Sequence, residues 1–245
     1  MICNCGAIEE TVGEAQRICV SVLGKTVADC LEAMKGEKCV EIRLEEMKIR
    51  NREAVEEAMG EAQRIGSGEM KKLFGNKGIE TIAACRPGKI SDAERKARLL
   101  DAIGAGATHV DVEVDASDDV EEAVVAAAKK SGCKVIVSFH DYEKTPPRPE
   151  LEKIIDWCFE SGADIAKIAC KVNSDADAAR LLGLLDSKRK LAVVGMGQKG
   201  KIVRIVAPLL GSCIAFASKG KGKETADGQL TRAEMEKIMG ALGNV

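Results

Sequence analysis

Short runs of apolar, β-branched residues alternate along this chain with stretches in which apolar positions recur at helical spacing. Eight runs are predicted to be strands, at residues 17–22, 39–44, 81–86, 109–114, 134–140, 164–170, 190–196 and 213–218. The stretches between them predict helices, including 92–103, 120–131, 150–161 and 176–185. Glycines close several of these helices, as helix C-termini prefer, at Gly104, Gly132 and Gly162.

Regular alternation of strand and helix calls for right-handed crossovers and a parallel sheet. Eight repeats in about 230 residues are the number needed for a closed (β/α)8 barrel. We therefore predict an α/β protein with a single (β/α)8 TIM barrel over residues 16–245, and an N-terminal extension at residues 1–15.

Composition narrows the class of partner. The net charge is −2 with both signs interspersed, which favours a small-molecule substrate over nucleic acid or a membrane surface.

The ten cysteines are scattered and form no Cys-x-x-Cys pair, so they are interpreted as reduced, hydrophobic side chains. Cys3 and Cys5 are too closely spaced for a usual zinc site, and no metal is expected. The chain has no signal-like or membrane-spanning apolar stretch, and a cytoplasmic protein is predicted.

Two reactive groups stand in successive strand–helix units. His140 ends the fifth predicted strand, and Lys167 lies inside the apolar sixth strand. An apolar setting favours the neutral, nucleophilic amine, and an imidazole can move the protons of imine chemistry. Taken singly, the lysine could bury its aliphatic stem and extend its amine to solvent, and the histidine could have a structural role. Together, and without an evident ionic partner in the sequence, they favour a catalytic pair.

Other polar residues fall at the same predicted edge, where barrels carry their active sites. The two-residue period of strand two puts Glu41, Arg43 and Glu45 on one side of it. In strand four the same period puts Asp111 and Glu113 on one face. Strands three and eight end in Arg86 and Ser218. Structural ion pairs in the barrel interior are the alternative explanation for Glu41, Arg43 and Glu113. The whole set suits a small, anionic, hydroxylated carbonyl compound.

Several segments occur together in one order: Val-Glu-Ile-Arg-Leu-Glu, Cys-Arg-Pro, Val-Ser-Phe-His-Asp-Tyr-Glu-Lys-Thr-Pro, Ala-Asp-Ile-Ala-Lys-Ile-Ala and Ala-Asp-Gly-Gln-Leu. In motif and spacing, from residue 16 to about 232, the chain resembles the type I 3-dehydroquinate dehydratases of the shikimate pathway, which supply aromatic amino acid biosynthesis. The resemblance implies a lyase that converts 3-dehydroquinate to 3-dehydroshikimate through a Schiff base, with neither a metal nor an organic cofactor.

The resemblance also implies a role for individual residues. Lys167 would form the Schiff base and His140 would shuttle protons. The substrate-binding residues would be Glu41 and Arg43 for hydroxyl groups, and Arg86, Arg204, Thr225 and Gln229 for hydroxyl groups and the carboxylate. Residues 219–229 are predicted to form a lid. In that lid Thr225 replaces the usual serine, and Asp227 stands where proline is usual.

One departure concerns the histidine. Many relatives place a glutamate four residues after the arginine that matches Arg86, where it orients the histidine, but this chain has Ile90 there. Either Glu113 or Asp111 takes over that task, or the catalytic step is slower.

Three further points concern the alternative functions, a glycine-rich motif and the oligomeric state. A class I aldolase of similar fold would share the imine lysine, and a barrel kept only for binding would retain the fold without turnover. The segment Gly195-Met196-Gly197-Gln198-Lys199-Gly200 matches a dinucleotide fingerprint in the wrong part of the chain, and a turn or an anion contact explains it better. The sequence does not decide between a monomer and a homodimer.

Overall fold

The computed structural model describes residues 17–48 and 67–242. Eight parallel strands form one sheet in the order β7-β6-β5-β4-β3-β2-β1-β8. The strands are β1 (Arg17–Val22), β2 (Cys39–Arg43), β3 (Glu80–Ala84), β4 (His109–Glu113), β5 (Lys134–Asp141), β6 (Ile165–Lys171), β7 (Leu191–Met196) and β8 (Ile214–Ser218).

The two ends of this sheet meet, so the sheet curls into a nearly closed barrel. The backbone N–H of Cys213 donates to the Leu191 carbonyl at 2.9 Å, and the N–H of Val193 donates to Ser212 Oγ at 3.0 Å. These bonds join the starts of β7 and β8. The predicted single (β/α)8 barrel is confirmed.

Eight α-helices of the described chain surround the strands. They are α1 (Val27–Met34), α2 (Ser67–Phe74), α3 (Asp92–Gly104), α4 (Asp118–Ser131), α5 (Arg148–Glu160), α6 (Asp175–Gly183), α7 (Lys201–Leu209) and α8 (Arg232–Ala241). Capping boxes begin three of them, at Thr26, Ser174 and Thr231, where a hydroxyl and an acidic side chain satisfy the free N–H groups of the first turn.

Apolar side chains are sorted into two layers by the alternation of each strand. The large layer lies between strands and helices and includes Leu99, Val110, Leu151 and Leu181. The smaller layer fills the barrel interior. Its members are Cys19, Cys39, Ile82, Ile136, Ile165, Ala169, Ala192, Val194, Met196, Ile214 and Phe216. This interior plug forms the floor beneath the barrel mouth, so polar groups near the strands' carboxyl ends face open space.

All eight predicted strands occur within two residues of their predicted ends. The third strand stops at Ala84, so the prediction that it ends in Arg86 is wrong and Arg86 lies on the following loop. Gly104 is also helical; the glycine with left-handed backbone after that helix is Gly106, with φ of 102°. The predicted extension at residues 1–15 lies outside the described residues. Among the helices described, none has the length and apolar character needed to cross a membrane.

Candidate active site

A cavity of about 500 Å³ opens at the carboxyl ends of the strands. Its walls are Ser21, Glu41, Arg43, Arg86, His140, Tyr142, Lys167, Ala169, Val194, Met196, Arg204, Phe216, Thr225, Ala226 and Gln229. All eight residues to which the family resemblance gives a role therefore line one cavity.

Lys167 stands in the middle of β6 and projects into the barrel, with 4% of its surface exposed. Its Nζ donates to Glu41 Oε1 at 3.1 Å and to Asp111 Oδ2 at 2.9 Å, and it lies 4.1 Å from the centre of the Phe216 ring. The backbone is in an apolar strand, as expected. The amine itself is not in an apolar setting, so the expectation of an unpaired lysine is wrong: two carboxylates and an aromatic face hold it in place.

Arg86 is the centre of the charged network. Its guanidinium makes a bidentate pair with Asp111, with N–O distances of 2.9 and 2.6 Å, and a further bond of 2.7 Å to Glu113 Oε1. Nη1 also donates to Ser138 Oγ at 2.9 Å. The arginine is buried, and burial opposes its charge, but Asp111 and Glu113 outweigh that effect and raise its pKa. Arg86 thus fixes both carboxylates of β4.

Glu113 connects this network to the histidine. Its Oε2 lies 2.9 Å from His140 Nδ1, while Ile90 packs against the outer apolar layer. Of the two substitutes considered for the missing glutamate, Glu113 is the one in contact with His140. His140 therefore has an ionic partner, and it is one of the two carboxylates named for that task from the sequence. The chain's second histidine, His109, begins β4 at the opposite end of the barrel.

The acidic groups of the network are held ionised. Burial alone would favour their neutral forms, but the charges of Lys167, Arg43 and Arg86 lower the pKa of Glu41 to about 2. Burial likewise opposes ionisation of Glu113, yet Arg86 and His140 lower its pKa to about 2. The pKa of Asp111 is lowered further, against the effect of burial, by Arg86 and Lys167.

Burial and the neighbouring Arg86 charge lower the pKa of His140, and Glu113 only partly offsets them. The imidazole is therefore neutral at neutral pH. Because the ionised Glu113 only accepts hydrogen bonds, Nδ1 must carry the proton. The Nε2 lone pair is then the basic site of the ring.

Arg43 is held by Glu45. Glu45 Oε1 accepts bonds from Arg43 Nε at 2.7 Å and Nη2 at 2.5 Å, while Oε2 accepts the backbone N–H of Arg86 at 3.1 Å. Glu45 lies in a 3-10 turn after β2 and not in the strand itself. The predicted grouping of Glu41, Arg43 and Glu45 holds in part: only the first two line the cavity.

Arg204 enters the cavity wall from α7, although it is 3% exposed. Its Nη1 makes a weak bond of 3.4 Å to the Phe216 carbonyl, and its Nε and Nη2 find no hydrogen-bond partner among the described residues. Burial lowers its pKa to about 10, so the group remains charged at neutral pH. A buried guanidinium with two free donors is suited to a planar carboxylate ligand.

The loop after β8 brings the last two predicted residues to the cavity. Gln229 Oε1 accepts the backbone N–H of Thr225 at 2.7 Å and its hydroxyl at 3.2 Å. The Gln229 amide lies 3.5 Å from Ser21 Oγ on β1. Thr225 and Gln229 therefore act as one unit above the barrel mouth.

Two aromatic wall residues were not singled out from the sequence. Phe216 covers Lys167, and Tyr142 stacks on His140 with ring centroids 6.0 Å apart and an angle of 14° between planes. For Phe216, the two-residue period of β8 that puts Ser218 inward was an available signal. Tyr142 follows β5, where periodicity no longer indicates a direction.

A (β/α)8 barrel with a buried lysine amine, a carboxylate-bound histidine and cationic groups around one mouth is the architecture of a barrel enzyme acting on a small anionic carbonyl compound. The family model of type I 3-dehydroquinase matches residues 18–244. The chain belongs to the type I 3-dehydroquinase family.

Curated relatives agree with this assignment. The chain is 33% identical to the 3-dehydroquinate dehydratase of Methanosarcina mazei over 222 residues, covering 86% of this chain and 87% of the relative. It is 32% identical to the enzyme of the same name from Methanococcus maripaludis over 234 residues, covering 92% of this chain and all of the relative, 100%.

Solved structures show the same fold. A type I 3-dehydroquinate dehydratase from Clostridium difficile, with covalently modified comenic acid, superposes with a TM-score of 0.77 at 24% identity, covering 93% of this chain and 92% of that one. The 3-dehydroquinate dehydratase from Aquifex aeolicus gives a TM-score of 0.74 at 24% identity over 94% and 100% of the two chains.

Proposed function

We propose that this protein eliminates water from 3-dehydroquinate, with Lys167 as the imine-forming residue and His140 as the acid and base. Family membership makes the chain a 3-dehydroquinate dehydratase, a hydro-lyase. The observation that carries the residue assignment is the position of Lys167, whose amine is buried in the cavity beside the histidine network.

The first step is attack of the Lys167 amine on the ring ketone. The bonds to Glu41 and Asp111 hold Nζ in one position, which orients it toward a substrate above it. Attack requires the free amine, so His140 Nε2, the basic site of the network, takes a proton from the amine before the C–N bond forms. The imidazolium then returns that proton to the carbinolamine hydroxyl, which leaves as water. Loss of water from the carbinolamine leaves an iminium ion, which withdraws electrons from the adjacent carbon.

His140 serves the remaining steps. Its neutral Nε2 removes a proton from the carbon next to the iminium, giving an enamine, and the imidazolium then protonates the departing β-hydroxyl as water. Glu113 stabilises the imidazolium while it exists, because an ionised carboxylate lies 2.9 Å from Nδ1. Hydrolysis of the conjugated imine returns the amine to Lys167 and releases 3-dehydroshikimate.

Substrate recognition follows from the charges of the wall. The substrate carboxylate binds Arg204, whose two unpaired nitrogens, Nε and Nη2, support this role. Arg43, Arg86 and Glu41 receive ring hydroxyls, and Thr225 with Gln229 closes the upper side. Residues 219–229 act as a lid that keeps water out of the cavity during the imine steps. No phosphate group takes part in this scheme. The family assignment favours the dehydratase over a class I aldolase and over a barrel kept only for binding.

A reducing, cytoplasmic compartment fits the thiols of this enzyme. The eight cysteines among the described residues are free, and seven are buried. The absence of a metal or organic cofactor stays a prediction, and the sequence favours neither a monomer nor a homodimer.

Borohydride trapping tests function and site together. Added during turnover of 3-dehydroquinate in the presence of EDTA, borohydride should reduce the imine and inactivate the enzyme, leaving one adduct per chain on Lys167. Fragmentation must separate Lys167 from Lys171 in the same peptide. Lys171→Met should still form the adduct, and Lys167→Met should form none.

Other outcomes would redirect the assignment. Trapping with a phosphorylated ketose in place of dehydroquinate would support an aldolase. Turnover that is lost in EDTA and restored by a divalent metal would replace the imine mechanism by metal-assisted chemistry.

A further inference from the structure

The Gly-x-Gly-x-x-Gly segment at residues 195–200 has no part in the proposed chemistry, yet all three of its glycines are required. A Cβ on Gly195 would lie 2.6 Å from the Gly200 carbonyl oxygen and 2.8 Å from Val203 Cβ. A Cβ on Gly200 would lie 2.5 Å from the Gly195 carbonyl carbon. These two glycines allow the tight turn from β7 into α7. The third, Gly197, has a left-handed backbone with φ of +82°, and its neighbours are different.

Gly197 touches the lid, residues 219–229, backbone to backbone. Its N–H donates to the carbonyl of Asp227 at 3.0 Å. A Cβ on Gly228 would lie 2.1 Å from the Gly197 carbonyl oxygen, and Gly228 has φ of +74°. The lid therefore reaches this turn only if residue 228 has no side chain.

The Asp227 side chain adds polar contacts at the same point. Its carboxylate accepts from Lys171 Nζ at 3.1 Å and from Gln198 Nε2 at 3.3 Å. These donors belong to the end of β6 and to the turn after β7. The bond from Lys171 lowers the pKa of Asp227, which keeps the carboxylate charged.

Docking at this point sets the position of the cavity-facing part of the lid. Gly228 is buried against the turn, and the next residue is Gln229, whose side chain binds Thr225 and approaches Ser21. A shift of the Asp227–Gly228 backbone moves Gln229 with it, because adjacent Cα atoms are 3.8 Å apart.

We propose that residues 195–200 are the docking surface of the lid, and that Asp227 is a positioning residue that places Gln229 and Thr225 over the substrate. The inference deepens the proposed function and rests on it, since Gln229 and Thr225 are there given substrate contacts. Lys171 and Gln198 are the partners through which Asp227 acts.

Three glycines of the loop between β8 and α8 provide a matched set of alanine variants. Gly228→Ala introduces both the backbone clash and an unfavourable φ. Gly222→Ala introduces the unfavourable φ alone, because Gly222 has φ of +75° with no atom within 4 Å of its Cβ position. Gly220→Ala introduces neither, because its Cβ position is equally open and its φ is not positive.

Two measurements apply to each variant: kcat and KM with 3-dehydroquinate, and the rate of tryptic cleavage after Lys221 and Lys223, which are exposed in the lid. Gly228→Ala should lower kcat/KM by about 100-fold, as for a displaced positioning group, and should speed cleavage by at least about tenfold. Gly220→Ala should behave as wild type in both measurements, and Gly222→Ala should show a much smaller change than Gly228→Ala. Circular dichroism and the urea midpoint verify that each variant folds.

A charge exchange tests Asp227 without altering the backbone. Asp227→Asn and Lys171→Asp should each lower kcat/KM by about two- to fivefold, the range of an exposed ion pair, chiefly through KM. Combining Lys171→Asp with Asp227→Lys should restore most of the loss. Asp156→Asn, which breaks an exposed pair with Arg189 on the outer surface, is the control and should change neither quantity.

The outcomes separate this inference from the proposed function. Gly228→Ala with wild-type cleavage and wild-type kinetics would overturn the docking surface, as would equal effects of Gly222→Ala and Gly228→Ala. No recovery in the exchanged pair would remove Asp227 from its positioning role. Faster cleavage of Gly228→Ala in a protein that fails to dehydrate 3-dehydroquinate would refute the proposed function while the lid contact stood.

Discussion

At the scale of single residues, the site is a compact set of opposite charges buried together. Asp111 shows the principle: it contacts both Arg86 and Lys167, so one carboxylate aligns the arginine of a loop with the amine of β6. Buried ionic groups are costly unless every partner is present. Removing one member therefore disturbs both the position and the ionisation of the others, and conservative substitutions are the informative ones.

Glu113→Gln tests the orientation of His140. The amide keeps the shape but removes the negative charge that favours the imidazolium, so the pKa of His140 should fall further. His140 would then stay unprotonated down to a lower pH, so the acidic limb of the kcat/KM profile should move to lower pH. We expect kcat to decrease by up to about 10²-fold, and by more in His140→Ala, which removes the relay itself. An unchanged acidic limb in Glu113→Gln would contradict the pairing.

At the scale of elements, the cavity residues lie on strands, on the loops that follow the strands and, for Arg204, in the first turns of a helix. Arg204 illustrates this dependence, since the tight turn at Gly195 and Gly200 lets α7 begin close enough for its side chain to reach the cavity. The same turn is in contact with the lid. One short connection thus sets the position of both a binding residue and the cover.

Arg204→Gln should weaken substrate binding. A charge-assisted hydrogen bond contributes about 1.5–3 kcal/mol, so kcat/KM should fall by roughly 10- to 150-fold, mainly through KM. An amide analogue of the substrate, which lacks the carboxylate charge, should lose much less between wild type and variant. Arg180→Gln, at a half-buried arginine of α6, is the control for loss of an arginine elsewhere. Equal losses with acid and amide would assign Arg204 a structural role.

At the scale of the whole molecule, the site's carboxylates link activity to stability. Glu41 and Glu113 have folded-state pKa values of about 2, below the value of about 4.3 expected in the unfolded chain. Groups with a depressed folded pKa stabilise the protein above the unfolded value, and that contribution is lost as the pH falls through the folded value.

The free energy of unfolding should therefore decrease from about pH 5 toward pH 2. Each of the two glutamates should contribute on the order of 1–2 kcal/mol of loss between pH 7 and pH 3. Urea unfolding at pH 7, 5 and 3 measures this, and Glu113→Gln should lose less than wild type over the same interval. Glu152→Gln, at an exposed pair with Arg148, should keep the wild-type slope. A Glu113→Gln slope equal to wild type would contradict the lowered pKa of Glu113.

The sequence by itself determined the eight strand–helix units and the polar residues on the strands, such as Glu41, Arg43 and His140, because burial on both faces of a parallel strand leaves a continuous apolar run in which a polar residue stands out. Arg204, Thr225 and Gln229 were expected only from the family resemblance. Only the tertiary structure decided the pairing of those residues. Glu113 meets His140 from a neighbouring strand 27 residues away, and Lys167 meets Glu41 across the barrel at a separation of 126 residues. No local pattern encodes such distances, since they follow from strand register and barrel closure. For the same reason the sequence left the role of Gly197 open between a turn and an anion contact, until the folded chain brought Gly228 against it.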